Sequence, residues 1–112
     1  MTKVYLTERE GKLTLKVLGH SGYANIGQDI VCASCSILAY TVAQFVKTAE
    51  KKGDLKSAPI LKLDIGDAEI VCEPTEDGYN AIRASYLFSQ VGYALLAYNY
   101  PKYVSIQPMI TD

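Results

Sequence analysis

The chain has no excess of either charge: eleven basic residues nearly cancel twelve acidic ones, leaving a net charge of −1. That balance argues against a broad nucleic-acid-binding face, which requires a basic surface, while a local patch stays open. No apolar run approaches the roughly 18 to 20 residues a membrane-spanning helix needs, so no membrane contact is expected. Glu8 and Glu10 arrive too early for a secretory signal. Three cysteines is an odd number, which excludes a closed disulfide framework. There are no repeats, low-complexity tracts or linkers. The expectation is a reduced, cytoplasmic protein whose 112 residues form one domain.

What is present reads as an α+β domain. Val4 and Leu6, then Leu13, Leu15 and Val17, alternate with more polar neighbours around the turn Glu10-Gly11, the pattern of a β-hairpin. A polar, glycine-spaced loop follows over residues 19–28. Cys35, Leu38, Val42, Phe45, Val46 and Ala49 then recur at helical spacing, with Asp29 as N-cap and Gly53 closing the far end. Residues 60–65 and 68–73 flank Gly66-Asp67 as a second hairpin. Ala84, Leu87, Phe88, Val91, Leu95 and Tyr98 predict the apolar face of a second helix over 81–99, stopped before Pro101. Residues 103–107 read as a last strand. The order ββαββαβ predicts two helices packed on a mostly antiparallel sheet.

The only histidine, His20, sits in Gly19-His20-Ser21-Gly22-Tyr23-Ala24, and Cys32 follows twelve residues later. A nucleophilic cysteine needs thiolate character, which an imidazole and a helix N-terminus both supply. With Asp29 as cap, Cys32 falls in the first turn, where backbone N–H groups could hold an oxyanion. The loop glycines Gly19 and Gly22 permit a substrate backbone to approach closely. Other readings stand beside this one. Cys32 could be a small core residue and His20 a solvated one. His20, Cys32, Cys35 and Cys72 number the four ligands of tetrahedral zinc, but Cys72 stands alone without a second paired motif. Cys32-x-x-Cys35 has a redox spacing but lacks the βαβ context of a thioredoxin-like site, and Cys35 and Cys72 fit buried stripes. Gly19-x-x-Gly22 has the spacing of an RNA-clamping loop, yet no lysine or arginine lies between Lys16 and Lys47. The nine tyrosines suit a core, a subunit interface or a peptide groove.

Taken together, Gly19-His20-Ser21-Gly22-Tyr23-Ala24 and Gly27-Gln28-Asp29-Ile30-Val31-Cys32-Ala33-x-x-Ser36 resemble the bacterial ribosomal-processing cysteine proteases, the Prp family. The resemblance extends over the chain to Tyr100-Pro101-Lys102-Tyr103-Val104. It implies a cytoplasmic, homodimeric endopeptidase that needs no cofactor or metal. Its substrate would be the short apolar N-terminal extension of large-subunit ribosomal protein twenty-seven, with no direct nucleic-acid contact. It implies His20 and Cys32 as the catalytic pair. Asp29 and Ser36 match the pattern in supporting or substrate-binding roles, with Asp29 either orienting His20 or only capping the helix. Cys35 departs from the pattern, standing where the family has a small or apolar residue without a thiol. The alternative from a different class is a non-catalytic ribosome- or protein-binding module with structural or zinc-bound Cys and His.

Overall fold

A computed structural model describes residues 1–25 and 29–112. The Gly27-Gln28 portion of the second motif and the end of the expected loop lie outside the described residues.

Strands β1 (Thr2–Arg9) and β2 (Lys12–Leu18) form the first hairpin. Glu10 and Gly11 both adopt positive φ, 53° and 78°, which matches the strand twist across a two-residue turn. Helix α1 (Ile30–Lys51) follows, then the hairpin of β3 (Ile60–Asp64) and β4 (Asp67–Cys72), helix α2 (Tyr79–Asn99), and the short strands β5 (Val104–Ile106) and β6 (Ile110–Thr111). The sheet order is β3-β4-β2-β1-β5, with β6 also on β1. All pairings are antiparallel except those of β5 and β6, which run parallel to β1. The two-residue β6 escaped the periodicity because no alternation is readable over so short a segment after Pro108.

The register sends Val4, Leu6, Leu13, Leu15, Ile70 and Cys72 into one core under the helices. Helix α1 lies over β2, β3 and β4, while α2 lies over β1, β2 and β5 and packs against α1. At their contact Gly92 approaches Leu38 so closely that a Cβ would sit 2.7 Å from Leu38 Cδ1. Glu8 on β1 accepts from Arg83 Nε at 2.9 Å and from the Tyr79 hydroxyl, fastening the start of α2 to the sheet. Contrary to expectation, α1 is long and apolar enough, by length and composition, to cross a membrane. Its face from Val31 through Cys35, Ala39, Val42 and Val46 to Ala49 is nevertheless buried in this core.

Two apolar faces differ from the sequence expectation. On α2 the core side is Ile82, Tyr86, Ser89 and Tyr93. Phe88, Val91, Leu95 and Tyr98, expected inside, are exposed, Phe88 to 75% and Tyr98 to 84%. The tyrosine face is buried because each hydroxyl finds a partner there. Tyr93 donates to the Cys35 carbonyl at 2.8 Å, and Tyr86 to the Ile70 carbonyl at 3.1 Å, with Cys72 Sγ at 3.4 Å from the same hydroxyl. With their hydroxyls satisfied, both tyrosine rings are fully buried. Phe45 on α1 is likewise exposed rather than in the core. The second hairpin turns at Ile65-Gly66, one residue earlier than expected. Gly66 supplies the positive φ, 74°, so Asp67 joins β4 opposite Leu18.

Candidate active site

Asp29 is the N-cap of α1, as its position predicts, and its Oδ1 accepts from the Cys32 N–H at 2.8 Å. Its Oδ2 reaches back across the loop, accepting from the buried Ser21 hydroxyl and from the N–H groups of Tyr23 at 3.2 Å and Ala24 at 3.4 Å. One carboxylate therefore pins the start of the helix to the histidine loop. Burial pushes its pKa up, but the hydrogen bonds from Ser21, Cys32, Ala24 and Tyr23 outweigh that and hold it below the usual aspartate value. Both oxygens are engaged in this way, which is the cap geometry; no hydrogen bond joins Asp29 to His20 among the described residues.

The same contacts revise the oxyanion expectation. The Cys32 N–H is held by Asp29 Oδ1, and the Ala33 N–H by the Asp29 carbonyl at 3.0 Å. Neither points free toward a substrate.

His20 is carried into place by the sheet. The Gly19 N–H donates to the Gly66 carbonyl at 2.9 Å, extending the β2–β4 ladder by one rung. Gly19 has φ 88°, and a Cβ there would lie 2.5 Å from the Met1 carbonyl oxygen, so only glycine fits. The imidazole then lies against Gly66, whose missing side chain makes room for it. Gly22, φ 72°, has open space where a Cβ would stand.

His20 and Cys32 line one cavity of about 410 Å³ between the first turns of α1 and the β3–β4 turn. Ser36 lies one helical turn beyond Cys32 on the same wall, half-buried, and Gly19, Gly22 and Asp29 also border the space. The pair thus faces a common volume that can admit a peptide. No hydrogen bond links the two side chains among the described residues; bonds of this kind often form only once a substrate is bound.

Cys35 also touches this cavity but is only 3% exposed and belongs to the core. Burial, then the charges of Cys32 and Asp29, push its thiol up to about 12. Cys72 lies elsewhere in the core against Tyr86, and burial raises its pKa despite that hydrogen bond. It does not line the cavity, so the four-ligand zinc set is not assembled there, and no group of three His, Cys, Asp or Glu residues able to hold a metal occurs among the described residues.

Sequence reasoning missed three participants. Ser21 bonds to a carboxylate eight positions away, which no local pattern announces. Tyr23 sets its ring edge-on to Tyr100 and Tyr103, with centroids 5.5 and 5.2 Å apart, tying the loop to the end of α2 and the approach to β5. Gly66 read only as a turn glycine, since its contact with His20 exists only once β4 lies beside β2.

Comparison with solved structures finds the same fold. SMU.848 from Streptococcus mutans is 23% identical, with all of this chain and 96% of that one covered at a TM-score of 0.69. The S. aureus ribosomal processing protease Prp, holding a covalently linked product peptide, is 17% identical over the whole of both chains, at a TM-score of 0.69. Its complex with a substrate peptide is 16% identical over the whole of both chains, at 0.66. No curated protein matches the chain in sequence. The sequence model of the family described as cysteine protease Prp matches residues 1–105, and the chain, with its one histidine and Cys32 of its capped helix facing a single cavity, belongs to that family of cysteine proteases.

Proposed function

We propose that this cysteine protease processes a ribosomal protein in the cytoplasm, removing the short apolar N-terminal extension of large-subunit ribosomal protein twenty-seven. Cys32 is the nucleophile and His20 the general base and acid. The observation that carries this reading is the placement of both side chains on one cavity large enough for a peptide segment, with the thiol in the first turn of an Asp29-capped helix. The S. aureus relative, a ribosomal processing protease with bound peptides, supports the substrate class.

In this mechanism His20 takes the proton of the Cys32 thiol as sulfur attacks the scissile carbonyl carbon. The helix N-terminus favours the anion in that step. His20 then gives the proton to the departing amine, leaving a thioester on Cys32, which a water molecule deprotonated by His20 hydrolyses. Asp29 holds the helix start and the loop in register, and Ser36 borders the peptide. The protease works as a homodimer, with the exposed stripe Phe88, Val91, Leu95 and Tyr98 as the self-association face. No specific observation favours a non-catalytic binding module.

The test is mass spectrometry of a peptide spanning the extended N-terminus of the ribosomal protein, incubated with the native chain and with Cys32→Ser. One defined cut by the native protein that is absent with the variant is the expected result. An intact peptide with both, the native protein being folded and reduced, refutes the reading.

A further inference from the structure

Cys32 and Cys35 occupy the first two turns of α1 and line the same cavity. Residues three apart on a helix have α-carbons roughly 5 Å apart, from a 1.5 Å rise and a 100° turn per residue. That lies inside the 4.4–6.8 Å window of disulfides, while the β-carbons, about 5–6 Å apart, must close by roughly 1 Å or more. The first turn of a helix is where such tightening is cheapest. The Cys32 N–H is held by the Asp29 side chain rather than by a helical carbonyl, so moving it sacrifices no bond of the helical ladder. The third cysteine cannot compete, because Cys72 is buried against Tyr86 and outside the cavity.

The two thiols differ in access. Cys32 is half-buried at the cavity wall, whereas Cys35 lies behind it in the core. An oxidant entering the cavity meets Cys32 first, and burial, which keeps Cys35 as the neutral thiol, protects it from direct attack.

We propose that Cys32 and Cys35 form a reversible oxidative modification site, in which a hydroperoxide entering the cavity converts the dithiol to an intrahelical disulfide and switches off the thiol that the proposed function assigns to catalysis. The Cys32 thiolate attacks the peroxide oxygen and becomes a sulfenic acid, while the O–O bond breaks and the departing alkoxide or hydroxide takes a proton. Cys35 sulfur then attacks the Cys32 sulfur, the S–OH bond breaks, and the hydroxide leaves with the Cys35 proton as water. Two thiols are oxidised by two electrons and one peroxide is reduced. A small exogenous or thioredoxin-class thiol attacking the exposed Cys32 sulfur restores the pair. The benefit is protection: a lone catalytic thiolate continues to sulfinic acid, which thiols do not reverse.

The consequence for activity rests on the assignment of Cys32 as nucleophile, but the chemistry is read by mass and stands apart from it. No lysine or arginine lies between Lys16 and Lys47, so tryptic cleavage puts Cys32 and Cys35 on residues 17–47 and Cys72 on residues 63–83. The full-length chain is treated with stoichiometric hydrogen peroxide, its remaining thiols are blocked with iodoacetamide, and the tryptic peptides are weighed. The expected product is peptide 17–47 lacking two hydrogens and carrying no alkyl group, with peptide 63–83 unoxidised and dithiothreitol restoring two alkylatable thiols. Peptide 17–47 carrying two or three added oxygens, or remaining reduced and doubly alkylated, overturns the proposal. Under excess hydrogen peroxide, of which a sulfinic acid consumes two equivalents, the native pair is expected still to recover with dithiothreitol, while Cys32 in Cys35→Ala becomes a sulfinic acid that dithiothreitol does not reverse; full recovery in that variant also overturns the proposal. If the disulfide forms while the peptide assay shows no cleavage before oxidation, the assigned reaction fails and the modification site remains.

Discussion

Gly66 bears the imidazole of His20: a Cβ on Gly66 would lie 2.7 Å from Nε2 and 2.9 Å from Cε1 of that ring. The turn between β3 and β4 is thus part of the wall that holds the histidine, joined to it also by the Gly19 N–H bond to the Gly66 carbonyl. Gly66→Ala is expected to lower the rate of peptide cleavage at least tenfold, mainly in kcat, because the ring must swing away from its seat. Part of any loss of stability comes from the positive φ of 74°, which costs a residue with a Cβ about 1–2 kcal/mol. Gly66→Asn separates the two causes, since asparagine tolerates that backbone yet still brings a Cβ. Steady-state kinetics and thermal melts of both variants decide the matter. Full activity in Gly66→Asn would show that strain alone, not contact with His20, makes glycine necessary.

Asp29 invites a different substitution. Asparagine retains the oxygen that accepts from the Cys32 N–H, but its amide nitrogen cannot accept from the Ser21 hydroxyl or from the Tyr23 and Ala24 N–H groups. The helix stays capped and the loop is released. Asp29→Asn should therefore cost about 1–3 kcal/mol in denaturant unfolding, chiefly because the buried Ser21 hydroxyl loses its charged acceptor, while the N–H groups of the exposed Tyr23 and Ala24 can turn to water. The pH dependence has a definite sign. The folded-state pKa lies below the unfolded value, so the native protein binds fewer protons there. The contribution of Asp29 is complete above about pH 4, the unfolded aspartate value, and fades as pH falls through the folded one. The stability gap between native chain and variant should narrow on acidification through that range. A gap that is constant with pH would show that the charge does no stabilising work.

The three thiols should differ sharply in reactivity. Cys35, raised by burial to about 12, and Cys72, also raised by burial, are almost wholly protonated at neutral pH. A titration with iodoacetamide under native conditions should consume one thiol quickly and the other two only on unfolding, and Cys32→Ser should abolish the fast phase. Fast alkylation of Cys35 or Cys72 in the folded protein would contradict their placement in the core.

The contrast between strands and helices shows what a sequence can reveal. The first hairpin and the cap at Asp29 follow from patterns a few residues long, and such patterns carry their own physics. Val4 and Leu6 alternate because a pleated strand has two faces, and an aspartate before a helical run caps because of the N–H groups it meets. The seat of His20 on Gly66 depends on which strands become neighbours, β2 with β4, and nothing local encodes that pairing. Helix α2 misled for another reason. It is apolar on more than one side, and hydrophobic spacing alone cannot choose between the face of Phe88 and Leu95 and that of Tyr86 and Tyr93. The choice was made by the hydroxyl partners waiting in the sheet and on α1.

The face left outside by that choice carries its own prediction. Phe88, Val91, Leu95 and Tyr98 recur at three- and four-residue intervals along one side of α2, all more than half exposed. Beside them, Phe45, Leu38, Ala84 and Phe88 line a shallow apolar groove between α1 and α2 of about 230 Å³. A stripe with this spacing repeats like the seam of a helix pair and lacks any charge that would oppose self-association. Since each of these side chains already stands in water in the single chain, replacing one removes little from the monomer's core. Leu95→Glu is expected to leave the unfolding free energy of the monomer within about 0.5 kcal/mol of the native value. The same change should shift the mass measured by light scattering from that of two chains to that of one, because two carboxylates would be buried across a symmetric interface. A native chain that is monomeric at all concentrations would refute the homodimer. A variant that stays dimeric would place the interface away from α2.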